Sequence, residues 1–140
     1  CGESRFEAVG SEGMTLRIAI FDRDMTLEPF GGPVPFSILK AMQGHGWLLA
    51  TGGSADPMEQ DAQWLARGVR PDLLCWKGGL NDLARRFPDA TVIYVDDGEA
   101  YAAIAEKYGW AFHLPAAFIE WWSAHVEKIV GPADFMVRQR

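Results

Sequence analysis

The chain is poor in cysteine: its 140 residues contain only Cys1 and Cys75. Two cysteines so far apart argue against a disulfide-stapled scaffold and against a zinc loop, whose cysteines lie close together in sequence. So little cysteine use favours a reducing compartment, and we expect a cytoplasmic protein.

Positive charge is in deficit, and long apolar runs are missing. The chain has thirteen Lys and Arg residues and nineteen Asp and Glu residues, which gives a formal net charge of −6. This balance disfavours broad attraction to nucleic acid or to anionic membranes. No apolar run approaches the roughly 20 residues that a membrane-spanning helix needs. We therefore expect no membrane association, and charge does not favour nucleic acid as a partner.

Hydrophobic periodicity is absent from residues 1–13, which are polar and contain glycine. We interpret them as a disordered leader or linker. Residues 14–140 are enough for one domain with a real core and too few for two, so we expect a single domain.

Short apolar runs alternate with segments of helical spacing from residue 15 onward. The predicted strands are 15–21, 47–50, 73–76, 91–95 and 110–113, and the predicted helices are 36–44, 57–67, 79–87, 99–108 and 115–130. Such alternation predicts an α/β fold. We expect a Rossmann-like three-layer sandwich, with a mostly parallel sheet of about five strands and helices on both faces.

Polar residues follow four of the predicted strands. They are Asp22 and Asp24, Thr51, Lys77, and Asp96 and Asp97. Because parallel strands end at the same edge of a sheet, we expect these side chains to meet in one crevice. Carboxylates this close repel each other unless a cation relieves them. The pattern therefore predicts a hard metal ion, most simply Mg²⁺, which binds one or two carboxylates together with phosphate oxygens.

Two of these aspartates have the spacing of a nucleophile and its proton donor. Asp22 can attack phosphorus and form an aspartyl-phosphate. Asp24, two residues on, can protonate the leaving oxygen and then deprotonate the hydrolytic water.

The other polar residues suit binding of a phosphoryl group and a metal. The hydroxyl of Thr51 and the backbone N–H groups beside it, including that of Gly52, can hold phosphoryl oxygens, and Lys77 can offset negative charge. Asp97, with Asp96 beside it, would complete a Mg²⁺ site.

These residues resemble the four motifs of the haloacid dehalogenase (HAD) superfamily. The matches are Asp22-Arg23-Asp24-Met25-Thr26 after the first strand, Thr51 ending the second, Lys77, and Asp96-Asp97 after the fourth. The resemblance spans about residues 15–113. It implies that Asp22 is the nucleophile and Asp24 the acid and base. It also implies that the Asp22 carboxylate, the Asp24 backbone carbonyl and an acidic residue of the fourth motif bind Mg²⁺. We favour Asp97 over Asp96 as that ligand, because Asp97 aligns with the Asp of the family's alternative Gly-Asp ending.

The spacing between the motifs leaves no room for the cap domain that many members of this superfamily carry. The resemblance therefore implies a capless phosphatase whose open site accepts phosphorylated substrates, macromolecular ones among them. The second aspartate of the first motif favours phosphate ester hydrolysis over carbon–halogen cleavage.

Two other classes share parts of this pattern. A phospho-accepting receiver domain also combines an acidic cluster, Thr or Ser, and Lys with Mg²⁺, but its acidic pair comes first and its lone acceptor Asp later. That order is the reverse of the one here. The remaining alternative is a non-catalytic binding module on the same fold, or a domain of a larger protein.

Overall fold

The computed structural model describes residues 15–130, with side chains up to residue 126. In this part of the chain four strands and five α-helices follow one another, with a helix after each strand and two successive helices after the second strand. They are β1 (Arg17–Phe21), α1 (Phe36–Gly44), β2 (Leu48–Thr51), α2 (Pro57–Ala66), α3 (Leu80–Arg86), β3 (Thr91–Val95), α4 (Ala102–Tyr108), β4 (Ala111–His113) and α5 (Pro115–Val130). The predicted leader, residues 1–13, lies outside the described residues.

The four strands form one parallel sheet in the order β2-β1-β3-β4. The central strand β1 pairs with β2 on one side and with β3 on the other, so that Phe21 lies level with both Thr51 and Val95. Its last four residues are buried, as expected of a parallel strand covered on both faces. The α/β class and the parallel sheet are thus as predicted, whereas the predicted alternation is interrupted between α2 and α3, where no strand forms.

Helices cover both faces of the sheet because the side chains of β1 and β3 alternate between two cores. Ala19 and Phe21 belong to a core with α1, α2 and α5, whereas Ile18 and Ile20 belong to a core with α3 and α4. Phe21 packs its ring edge-on against Phe118 of α5, at 5.3 Å between ring centroids.

The prediction of a fifth strand over residues 73–76 is wrong. Only Leu73 forms a bridge to β2, with Ala50. Beyond Leu73, the Thr51 side chain bonds the backbone of the segment. Its hydroxyl accepts from the Cys75 N–H at 2.8 Å and donates to the Cys75 carbonyl at 2.7 Å. A side chain therefore replaces the main-chain ladder, and the segment runs along the edge of the sheet without becoming a strand.

The helix boundaries follow local signals closely. Asp56 caps α2, because its carboxylate accepts from the Met58 N–H at 2.8 Å, as N-cap residues do. Gly109 ends α4 with a φ of +74°, a conformation that glycine adopts without strain. The predicted helix 99–108 begins with a 3₁₀ turn over Glu99–Tyr101. Within the described residues, every helix is too short or too polar to cross a membrane.

Candidate active site

Asp22 and Asp96 lie side by side at the carboxyl edge of the sheet. Each continues the hydrogen-bond ladder one residue beyond its strand: the Asp22 N–H donates to the Val95 carbonyl at 3.0 Å, and the Asp96 N–H donates to the His113 carbonyl at 3.2 Å. Because Phe21 pairs with Val95, the two aspartates occupy the next level of neighbouring strands. Main-chain bonds thus fix the backbone of both residues.

Alternation along the strands decides which face the two carboxylates occupy. Ile20 and Tyr94 belong to the core beneath α3 and α4. Asp22 and Asp96 lie two residues further along the same strands, so their side chains share that face. The segment that carries Lys77 leads directly into α3, and the amine therefore approaches from the same side.

Lys77 bridges the two aspartates. Its Nζ lies 2.9 Å from Oδ1 of Asp22 and 3.0 Å from Oδ2 of Asp96, and the side chain is 17% exposed. The Tyr101 ring lies beneath the amine, with its centroid 4.2 Å from Nζ. Burial lowers the pKa of Lys77, but hydrogen bonds to the two carboxylates more than offset burial and hold the pKa above its ordinary value. The amine therefore stays charged between the two acids.

The second oxygen of Asp22 is held by Thr26, a residue outside the predicted site. The Thr26 hydroxyl donates to Oδ2 at 3.0 Å. The loop after β1 folds back over Thr26 and buries it, and the Val34 N–H donates to the Thr26 carbonyl at 3.0 Å. A Cβ on Gly32 would lie 2.2 Å from the Thr26 backbone, so this close approach requires glycine. The sequence feature that could have identified Thr26 as a site residue is its position at the end of the first motif.

Burial has the largest effect on the ionisation of Asp22. It raises the pKa of the carboxyl, the Lys77 hydrogen bond lowers it, and the charge on Asp96 raises it again, to about 6 from 3.8. Burial and the neighbouring negative charge both favour the protonated form of a carboxyl group. A cation at this place would favour the ionised form instead.

Asp96 is fully buried, and both oxygens of its carboxylate accept hydrogen bonds within the protein. Oδ2 accepts from the Tyr94 hydroxyl at 2.7 Å and from Lys77, and Oδ1 accepts from the Gly98 N–H at 2.8 Å. Burial raises the pKa of Tyr94, and Asp96 raises it further, so the phenol remains a donor. Sequence reasoning missed Tyr94. The signal was its position two residues before Asp96, on the same face of β3.

Asp97 brings a third carboxylate to the same place. It is exposed, and one oxygen of each of Asp22, Asp96 and Asp97 lies within 4.8 Å of the others. Three carboxylates and the Lys77 ammonium leave a formal charge of −2, which a divalent cation would cancel. Carboxylate oxygens are the ligands that Mg²⁺ prefers, so the donor set fits this ion.

The carboxylate of Asp24 lies outside this cluster. It is 63% exposed and pairs with Arg23, whose Nε lies 2.9 Å from Oδ1. The guanidinium of Arg23 also donates to Glu59 and Gln63 of α2, each at 3.2 Å, and lies 5.4 Å from the centre of the Phe30 ring. Arg23 thus holds the Asp24 side chain at the rim of the site.

The predicted phosphate donors Thr51 and Gly52 are already engaged within the protein. The Thr51 hydroxyl is fully buried and donates to the Cys75 carbonyl. The Gly52 N–H donates to the Phe21 carbonyl at 2.8 Å. These contacts join β2 to β1 and hold the segment that leads to Lys77.

Free backbone donors lie instead at the end of β1. Within residues 15–130, the N–H groups of Arg23 and Asp24 donate to no protein acceptor. Both residues directly follow Asp22, at the edge of the sheet where the three carboxylates meet.

Gln60 of α2 is a further residue that sequence reasoning missed. It is fully buried. Its Oε1 accepts from the Gly53 N–H at 2.9 Å, and its Nε2 donates to the carbonyls of Gly53 at 3.2 Å and Ala55 at 2.7 Å. Gly53 in turn accepts from the Lys77 N–H at 2.8 Å. Gln60 therefore fixes the loop against which the Lys77 backbone is held.

Comparison of the chain with family models, with curated proteins and with solved structures finds no match.

Proposed function

We propose that this protein is a Mg²⁺-dependent phosphomonoesterase of the capless HAD type, which works through an aspartyl-phosphate on Asp22. The observation that carries the proposal is the meeting of three carboxylates around one ammonium: Asp22, Asp96 and Asp97 cluster within 4.8 Å, and Lys77 bridges two of them. Groups of these types, from three separate stretches of the chain, suit phosphoryl transfer.

The carboxylates of Asp22 and Asp97 and the backbone carbonyl of Asp24 would hold the metal ion. Asp96 is better suited to positioning, because Tyr94, Gly98 and Lys77 already occupy its oxygens. Bound Mg²⁺ would neutralise charge on the transferring phosphoryl group.

In the first step, an oxygen of Asp22 attacks phosphorus and the bond from phosphorus to the ester oxygen breaks. Asp24 donates its proton to the departing oxygen, which leaves as an alcohol. Asp24 must turn away from Arg23 to reach that oxygen, and its 63% exposure leaves it room to do so.

In the second step, water attacks the same phosphorus atom while Asp24, now ionised, takes a proton from the water. The bond between phosphorus and Asp22 breaks, inorganic phosphate leaves, and both aspartates return to their starting states. Lys77 offsets the negative charge on Asp22 and on the phosphoryl group throughout.

The backbone N–H groups of Arg23 and Asp24 are better placed to hold phosphoryl oxygens than the Thr51 hydroxyl. Their donors have no acceptor in the described residues, whereas the Thr51 donor is used by Cys75. We therefore assign Thr51 to holding the Lys77 segment. A phosphate role for Thr51 or Gly52 would require their present hydrogen bonds to open.

The site is open to the solvent. Residues 22–97, all of which are described, contain no inserted domain between the first and fourth motifs, and Asp24 and Asp97 are exposed. An open site supports a phosphorylated substrate as the partner. The sparse cysteines support a reducing compartment, the cytoplasm.

The test is hydrolysis of a panel of phosphate monoesters by purified protein with Mg²⁺ and with EDTA. We expect turnover only with the metal. Asp22→Asn should lower kcat by about 10⁴-fold or more, since removal of a nucleophile costs this much or more in other enzymes. Asp89→Asn, at an exposed position outside the site, is the matched control and should keep full activity.

Absence of turnover across the panel would refute the phosphatase. If Mg²⁺ and phosphate esters still bound, the non-catalytic binding module would replace it. Full activity of Asp22→Asn, free of wild-type protein, would remove Asp22 as the nucleophile.

A further inference from the structure

A cleft separates α3 from α4 on the face of the sheet where Asp22 and Asp96 point. Its volume is about 340 Å³. Its polar lining consists of Lys77, Asn81, Lys107 and Tyr108. Small-molecule sites span roughly 300–1,000 Å³, so the cleft has room for a small organic group and not for a folded partner.

The cleft adjoins the candidate active site at Lys77, a residue that both share. The Lys77 side chain lines the cleft, while its Nζ contacts the carboxylates of Asp22 and Asp96. Gly78 continues the wall, and a Cβ there would lie 2.5 Å from the Trp76 ring. The leaving group of a phosphate ester at Asp22 would therefore reach the cleft by passing the Lys77 side chain.

The cleft has a charge opposite to that of the chain. The formal net charge is −6, yet none of the residues that line the cleft is acidic and two of them are lysines. Lys77 is taken up by two aspartates. Lys107 is exposed and forms no ion pair within the described residues; its Nζ lies 5.3 Å from the centre of the Tyr108 ring. Lys107 is thus the cation left for an anionic ligand.

The floor of the cleft is apolar. Leu80 is 2% exposed and Ile104 is half-buried, and both belong to the core beneath α3 and α4. An apolar body would cover them, while Asn81 and Tyr108 offer an amide and a phenol for hydrogen bonds.

We propose that this cleft is the leaving-group site, and that the substrate is an elongated phosphomonoester with an apolar middle and a second anionic group that pairs with Lys107. The proposal rests on the proposed phosphatase for its kinetic part. The binding of the leaving group by itself does not depend on catalysis.

The first experiment measures binding of 3-hydroxyphenylacetate, a leaving group with a ring and a carboxylate. Titration into ¹⁵N-labelled protein should shift the amide signals of Gly78, Asn81 and Lys107. Lys107→Gln should weaken this binding about tenfold, because it removes a charge-assisted contact. Lys40→Gln is the matched control: Lys40 is exposed on α1, which packs on the opposite face, and its variant should bind as the wild type does.

The second experiment compares kcat/KM for 3-(carboxymethyl)phenyl phosphate and 3-ethylphenyl phosphate. Wild-type protein and Lys40→Gln should prefer the acidic ester about tenfold, and Lys107→Gln should lose that preference. Circular dichroism of each variant verifies its fold.

Amide shifts that map away from α3 and α4 would overturn the assignment of the cleft as the leaving-group site. Equal weakening of ligand binding in the two lysine variants would overturn it as well. Equal kcat/KM for the two esters would also contradict the assignment of the cleft as the leaving-group site, but would be consistent with the proposed phosphatase. Binding at the cleft without turnover of any ester of the panel would support a site for this anionic ligand and refute the phosphatase.

Discussion

In both acidic pairs, Asp22/Asp24 and Asp96/Asp97, the first aspartate extends the ladder of its strand and the second lies beyond it. Asp22 and Asp96 are buried, and Lys77 contacts both. Asp24 and Asp97 are exposed. The last main-chain hydrogen bond of each strand thus separates a buried carboxylate from an exposed one.

The two exposed members differ in their partners. Asp97 lies with the buried carboxylates, whereas Asp24 is drawn to the neighbouring Arg23. The difference matches the proposed chemistry, since a metal ligand must stay with the cluster and a general acid must reach the leaving oxygen. Two exposed aspartates beyond neighbouring strand ends therefore support two roles, and the contacts of each side chain distinguish them.

Of the two exposed aspartates, Asp24 is expected to have the larger effect on activity when it is substituted. Asp24→Asn should lower steady-state turnover by about 10²–10⁴-fold, the usual contribution of general acid–base catalysis. With 4-nitrophenyl phosphate, whose leaving group departs without a proton, the first-turnover burst of nitrophenolate should persist. Rapid-mixing absorbance measures both quantities.

Asp22→Asn is the matched comparison, because it should lose the burst as well as the turnover. Near-normal turnover in Asp24→Asn would show that the aspartate held by Arg23 is not the acid and base.

Sequence reasoning predicted that Asp22, Lys77, Asp96 and Asp97 lie together. The three aspartates follow parallel strands, and Lys77 follows a segment that runs along the edge of the sheet, so that all four backbones lie at one edge. Sequence reasoning did not predict which way Asp24 turns, since that depends on the position of Arg23 against α2. Contacts made by side chains within the fold, such as those of Thr26 and Tyr94 with the two buried aspartates, leave only weak traces in a sequence.

The missing fifth strand has the same kind of cause. The run Leu73–Trp76 has the apolar character of a strand, and Leu73 does pair with β2. Two side chains then take the bonds that a ladder would make: the Asp72 carboxylate accepts from the Leu49 N–H at 2.7 Å, and the Thr51 hydroxyl engages Cys75. Residue patterns predict where a segment lies better than which atoms hold it there.

The next prediction concerns the pH dependence of the free energy of unfolding, to which Asp22 should contribute and Asp24 should not. The folded pKa of Asp22 is raised from 3.8 to about 6, so folding favours the protonated carboxyl. The stabilisation is complete below pH 3.8 and is lost as the pH rises through 6. In EDTA, wild-type stability should therefore fall by about 2–3 kcal/mol relative to Asp22→Asn between pH 4 and pH 7. Urea unfolding measures this fall.

Asp24→Asn is the control, and it should show the same fall as the wild type because its change lies outside the buried cluster. Saturating Mg²⁺ should abolish the fall in the wild type, since a divalent cation favours the ionised carboxylate. Parallel curves for the wild type and Asp22→Asn in EDTA would contradict the burial of this charge.

The smallest expected effect concerns the Asp96/Asp97 pair. Asp97→Asn should weaken Mg²⁺ binding about 10- to 100-fold, measured by isothermal titration calorimetry, and leave the unfolding free energy nearly unchanged, because the residue is exposed. Asp96→Asn should instead destabilise the fold, since an amide offers one acceptor oxygen where Asp96 uses two, and Lys77 would lose a buried negative partner. If Asp96→Asn weakened Mg²⁺ binding more than Asp97→Asn and kept its stability, the buried aspartate would be the ligand, and burial would not separate positioning from metal binding in this pair.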